Sequence, residues 1–133
     1  MNFFVDANLA PKLAHALSAL SDAEGITVTH LVDKFARNTP DEKWIVDLAL
    51  EKDWVIFSGD YRITKNPQTR IAWQQSGLTS FFLQKGWTNL KFWDQAWKLV
   101  KWWPTIIETA RNIQVGTSFL VPITATKLQI IPK

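Results

Sequence analysis

The chain has 133 residues, the length of one ordinary domain, and its 47% hydrophobic and 20% charged residues can bury a real core, which excludes a disordered tail, a collagen-like chain and a two-domain enzyme. With no cysteine and only two histidines, His15 and His30, it has no disulfide framework, thiolate zinc site or cysteine nucleophile. The net charge of +3 is uneven: residues 1–60 hold ten acids and five Lys/Arg (−5), whereas residues 61–133 hold two acids and ten Lys/Arg (+8). That asymmetry suits a cation site in the first half and a polyanion-binding surface in the second, although scattered solubilising charge accounts for it too. No signal peptide is expected, because Met1-Asn2 runs straight into a strand-like segment. Lys98, Lys101 and Pro104 break the longest apolar stretches, so no membrane span is expected and the cytoplasm is the expected location.

Asn2–Val5 is a short apolar run that ends at Asp6. Asn8 then opens a helix, with Pro11 in its first turn and Leu13, Ala16, Leu17 and Leu20 on one face. Gly25 precedes a strand over Ile26–Leu31, in which Ile26, Val28 and His30 alternate with Thr27 and Thr29. Thr39-Pro40-Asp41-Glu42 starts a second helix: Thr39 and Glu42 have capping-box spacing and Pro40 suits the first helical position. Trp44, Ile45, Leu48 and Ala49 give that helix its buried face. Trp54–Phe57 is continuously apolar, as a strand covered on both faces should be, and Ser58-Gly59-Asp60 ends it.

Asn66-Pro67 starts a third helix, with Ile71 and Trp73 inside and Gly77 as its stop, and Leu78–Leu83 is a fourth strand. Asn89–Trp103 is a long amphipathic helix with Lys91, Asp94, Gln95, Lys98 and Lys101 on its polar face. Pro104 interrupts it, and Thr105–Asn112 continues as a second short helix. Ser118–Ile131 reads as two short strands or extended segments, with Pro122 and Pro132 suiting a sheet edge. Strands alternating with helices imply an α/β fold, three layers around a doubly wound, mainly parallel sheet. The expected organisation is one domain over residues 1–133, a core over 1–85 and a helical, Trp-rich extension with a β-like tail over 86–133.

In such a sheet the site lies beyond the carboxyl ends of the strands. Asp6 ends the first strand, Asp60 follows the third, and Asp41 and Glu42 open the helix after the second, so three segments bring carboxylates to one rim. Gathered carboxylates repel unless a cation joins them, and hard divalent ions take oxygen ligands. The pattern therefore points to a Mg²⁺- or Mn²⁺-dependent phosphodiesterase site. Each acid also has a plainer account: Asp6 as a helix cap, Asp41 as a first-turn acid, Glu42 as the partner of Thr39, Asp60 as turn chemistry.

The run Phe3-Phe4-Val5-Asp6-Ala7-Asn8-Leu9-Ala10-Pro11, then Thr39-Pro40-Asp41-Glu42, then Val55-Ile56-Phe57-Ser58-Gly59-Asp60, resembles the PIN-like domains. In particular it looks like the VapC-type toxin branch of bacterial toxin–antitoxin systems, in order and spacing over residues 1 to about 85. The resemblance implies a ribonuclease that clusters acids around Mg²⁺ or Mn²⁺ and is neutralised by a cognate antitoxin protein. It makes Asp6, Asp41 and Asp60 the catalytic and metal-binding acids, with Glu42 a further candidate ligand. Many PIN domains carry another acid shortly after the last of these, but Tyr61–Lys65 contains none, so a single ion is expected. Arg62 and Lys65 are then candidates for phosphate contacts, or simply exposed loop cations.

Arg70, Lys85, Lys91, Lys98 and Lys101 are placed to follow an RNA backbone, and eight Trp offer stacking partners for unpaired bases. Trp44, Trp54, Trp73 and Trp97 read as core, and Trp87, Trp102 and Trp103 as surface. His15 reads as a surface residue without a partner. The expected partners are RNA, an antitoxin and, in a homodimer, a second copy of the chain, with no membrane. Two other readings stand beside the nuclease. One is a non-catalytic RNA- or antitoxin-binding module, and the other is a phosphoacceptor receiver-like domain with Asp60 and Lys85 after the third and fourth strands.

Overall fold

A computed structural model describes residues 1–132. The strands β1 (Asn2–Val5), β2 (Thr27–His30), β3 (Trp54–Ser58), β4 (Ser80–Leu83), β5 (Ser118–Val121) and β6 (Gln129–Ile131) form one sheet. Its order is β2-β1-β3-β4-β5-β6, parallel throughout except for the antiparallel β5–β6 pair at one edge. The helices are α1 (Pro11–Ser21), α2 (Asp41–Glu51), α3 (Pro67–Ser76) and α4 (Phe92–Asn112). Leu13, Ala14 and Leu17 of α1 and Leu99, Trp103 and Ile106 of α4 pack with Phe3, Val5 and Phe57 on one face of the sheet. Trp44, Ile45 and Leu48 of α2 and Trp73 of α3 pack with Phe4, Ile56 and Phe82 on the other. The expected three-layer α/β/α fold with a doubly wound sheet is what forms, because central strands buried on both faces demand helices on both sides.

Residues beyond 85 complete this architecture, since β5 pairs with β4 and α4 fills one layer. None of the helices, among the described residues, is long and apolar enough to cross a membrane.

Several local expectations change. Helix α1 begins at Pro11 behind Ala10, not at Asn8, whose backbone and side-chain amides turn back to Asp6. The capping box at α2 does not form: Pro40 is the N-cap, the Thr39 hydroxyl donates to the Ala36 carbonyl, and Glu42 meets the Thr69 hydroxyl at 3.4 Å. Asn66 does cap α3, accepting from the Gln68 and Thr69 amides, and Gly77 ends it at φ +67°. Ile71 of that helix faces solvent while Trp73 is buried.

Pro104 does not break α4, which runs unbroken from Phe92 to Asn112. The proline lies on the exposed side of the helix. Gln95, Leu99, Trp103, Ile106 and Ile107 form the buried stripe of α4, so Gln95 leaves the expected polar face and donates to the Trp87 carbonyl. Trp87 and Trp103 are accordingly buried, and Trp97 is 52% exposed. The imidazole of His15 is not alone, pairing with Asp33 at 2.6 Å on the surface.

Candidate functional site

Chain order makes β1 the pivot of the sheet: the β1–α1–β2 unit winds to one side of it, and β3 onward lies on the other. The crevice at that reversal, beyond the carboxyl ends of β1 and β3, is where ligands bind in open α/β folds. Asp6 follows β1 directly and Gly59-Asp60 follow β3, so the sequence delivers its two central acids there.

Asp6 is buried, with only 2% of its surface exposed. Its carboxylate accepts from the Ser58 hydroxyl, the Gly59 amide (3.1 Å), the Asn8 amide (3.2 Å) and the Asn8 side chain (3.4 Å). Burial pushes its pKa up, and the four donors oppose that shift. Ser58 also accepts from the Asp60 amide at 3.0 Å, linking the two acids through one hydroxyl. Gly59 is required by space, because a Cβ there would sit 2.9 Å from the Asn8 Cβ.

Below this cluster, the buried His30 ring braces the loop that follows Asp6. Its Nδ1 accepts from the Val32 amide (3.1 Å), which leaves the proton on Nε2 to donate to the Leu9 carbonyl (2.7 Å). Ser58, Asn8 and His30 were not among the expected site residues. Ser58 and Asn8 left a signal in their adjacency to Asp60 and Asp6, whereas His30 left only its place at the end of a strand.

Asp41, at the first position of α2, is half-buried and accepts from the Trp44 indole N–H at 3.0 Å. Burial raises its pKa, and the charges of Asp60 and Glu42 raise it further, so these three acids share one rim electrostatically. Asp60 is held in another way. Its Oδ1 accepts from the backbone amide and Nε of Arg62 (both 2.9 Å), and its Oδ2 from Nη2 (3.2 Å). This is the two-pronged geometry that guanidinium and carboxylate prefer.

Among the described residues, no group of three or more His, Asp or Glu is gathered to hold a metal ion. Each acid has other partners: Asp6 takes four donors, Arg62 clasps Asp60, and Asp41 and Glu42 accept from Trp44 and Thr69. The carboxylate oxygens of Asp6, Asp41 and Asp60 are of the kind that Mg²⁺ or Mn²⁺ takes and would be the ligands of such an ion, but in this arrangement they are not drawn together around one point.

Beside Asp60 opens a cleft of about 550 Å³, lined among others by Asn8, Arg62, Lys65, Lys85 and Asn89. That volume is in the range of ligand-binding clefts, and three cations face one carboxylate in its wall. Arg62, Lys65 and Lys85 thus come together, whereas Arg70, exposed one turn into α3, lies outside the cleft lining.

The model of a family described as PIN like domain matches residues 1–85, which is more than half of the chain and includes Asp6, Asp41, Glu42 and Asp60. No curated protein and no solved structure matches the chain.

Proposed function

The chain belongs to the PIN-like domain family, and from that premise we propose that it is a ribonuclease that hydrolyses RNA phosphodiester bonds with the aid of Mg²⁺ or Mn²⁺ and acts as the toxin of a toxin–antitoxin pair. PIN domains are generally nucleases and generally use divalent metals. The observation that carries the reading is a buried carboxylate, Asp6, fixed by four donors at the switch point of the sheet, next to a cleft walled by cations. A buried acid with a raised pKa at such a place is costly to keep and is the kind of group that functional sites retain. Arg62, Lys65 and Lys85 supply phosphate contacts in the cleft wall, while Asp60 in that wall and Asp41, which feels its charge, are the acids that would hold the metal with Asp6. Ser58, Asn8 and Gly59 orient Asp6, and His30 fixes the loop behind it.

The toxin role and its cognate antitoxin rest on the resemblance to the VapC-type branch at residues 3–11, 39–42 and 55–60. Incubating the purified chain with single-stranded RNA, with and without Mn²⁺, Mg²⁺ and chelator, tests the catalytic claim, and metal-dependent cleavage is expected. A second reading, a non-catalytic RNA- or antitoxin-binding module, is favoured by one feature: Asp60 is already neutralised by Arg62. Intact RNA in every metal condition, with the protein folded, would decide for that module.

A further inference from the structure

A second concavity, of about 190 Å³, lies between the outer face of α4 and the segment after β5. Trp97, Lys98, Lys101 and Trp102 line it from the helix, and Ile123 and Thr124 from the opposite wall. All of these residues fall outside the stretch matched by the family model. We propose that this groove is a subsite for an unpaired base of single-stranded RNA, lying upstream or downstream of the acidic site along the same strand. The proposal rests on the reading that the chain acts on RNA.

Chemistry selects the occupant. Trp97 exposes half its surface to solvent, on a helix whose buried stripe is formed by other residues, so the ring is free to stack on a ligand. The ammonium groups of Lys98 and Lys101 lie 5.2 and 6.0 Å from the centre of its ring. No carboxylate lines the groove, and Lys98 and Lys101 do, so the charges in its wall favour an anionic ligand. Its volume is below the 300–1,000 Å³ range of pockets that enclose a drug-sized ligand. It has room for one planar ring whose charged remainder stays outside. A polymer that offers one ring and one phosphate at a time meets that description, and in a duplex the ring would be unavailable for stacking.

The groove also joins the cleft. The Ile123 amide donates to the Gln84 side chain at 2.9 Å, and Gln84 lines the cleft beside Lys85. The Lys98 ammonium donates to the Ile123 carbonyl at 3.3 Å, fixing the same segment to α4. The two concavities are therefore neighbours across the Gln84–Ile123 contact, with Lys98 and Lys101 on one side and Lys85 on the other.

The test is fluorescence anisotropy of a labelled single-stranded oligoribonucleotide with the full chain in EDTA, with the probe checked on a gel for intactness. Trp97→Ala should weaken binding roughly tenfold, the scale of one lost stacking contact, and Trp97→Phe should restore most of it. Lys101→Gln, at an exposed position, should reduce the slope of log affinity against log salt by about 0.7. Duplex RNA should bind with no difference between wild type and Trp97→Ala. Unchanged single-strand affinity in Trp97→Ala, while a Lys65→Gln, Lys85→Gln variant binds less well, would overturn the groove assignment alone and leave the groove to a protein partner. No binding by wild type would overturn the RNA reading itself.

Discussion

Ser58→Ala separates a scaffold account of the acidic cluster from a functional one, because its cost must depend on the charge of Asp6. The Ser58 hydroxyl donates to the Asp6 carboxylate and accepts from the Asp60 amide. A hydrogen bond to a charged group contributes about 1.5–3 kcal/mol, and the half-buried Asp60 amide left without an acceptor costs up to about 1 kcal/mol more. The variant should thus lose about 2–4 kcal/mol near pH 7, a large share of the roughly 5–15 kcal/mol by which domains are stable. After the substitution, Oδ2 of Asp6 keeps only the Asn8 side chain at 3.4 Å.

The dependence on pH follows from the direction of the Asp6 shift. Its folded pKa lies above the ordinary 3.8, so the folded state holds the proton more tightly, and this contribution to stability is lost as pH rises through the folded value. Removing a donor that favours the charged form raises the folded pKa further, so the variant loses more stability than wild type over that rise. Near pH 3.8, where the folded state holds this proton more tightly than the unfolded chain, the cost should fall toward about 1 kcal/mol, that of a neutral hydrogen bond. Urea denaturation of both proteins at the two pH values gives the difference directly. A cost below about 0.5 kcal/mol at pH 7, or one equal at both pH values, would refute the reasoning.

Three further outcomes are expected. Gly59→Ala, which forces a Cβ to within 2.9 Å of Asn8, should destabilise the fold by about 1–3 kcal/mol in thermal denaturation, and no loss would mean that the loop relaxes freely. Arg62→Gln releases Asp60 from its cation and should tighten Mn²⁺ binding, followed by electron paramagnetic resonance, by about two- to fivefold; weaker binding would assign Arg62 the opposite role. Trp44→Phe keeps most of the buried ring but removes the donor to Asp41, and should cost about 1–2 kcal/mol at neutral pH while raising the apparent pKa of Asp41 seen by NMR.

The layers of the fold were legible because apolar runs such as Trp54–Phe57 and Phe81–Leu83 specify doubly covered strands whatever their surroundings. The placement of Asp6 and Asp60 followed from the same pattern, since a strand-end acid is fixed once the strand is. Contacts decided by competition were not legible. Asn8 has a side chain suited to capping a helix, but Asp6 two residues before it offers a charged acceptor that it takes instead. Thr39 and Glu42 have capping-box spacing, yet each finds a partner outside the box, in Ala36 and Thr69. Along α4, tryptophans at 93, 97, 102 and 103 make almost every face apolar, so periodicity alone cannot choose the buried stripe. The sheet chooses it, through Leu99, Trp103 and Ile106. The Asp60–Arg62 clasp is an exposed pairing of neighbours, and no sequence pattern distinguishes it from two solvated charges.

The account turns on Asp6, and the most direct measurement is the rate of cleavage of a mixed single-stranded RNA pool in Mn²⁺ by wild type and by Asp6→Asn, with circular dichroism to show that both are folded. The account predicts cleavage by wild type that EDTA abolishes, and a loss of at least about a hundredfold in the variant. Equal rates from two folded proteins would contradict it.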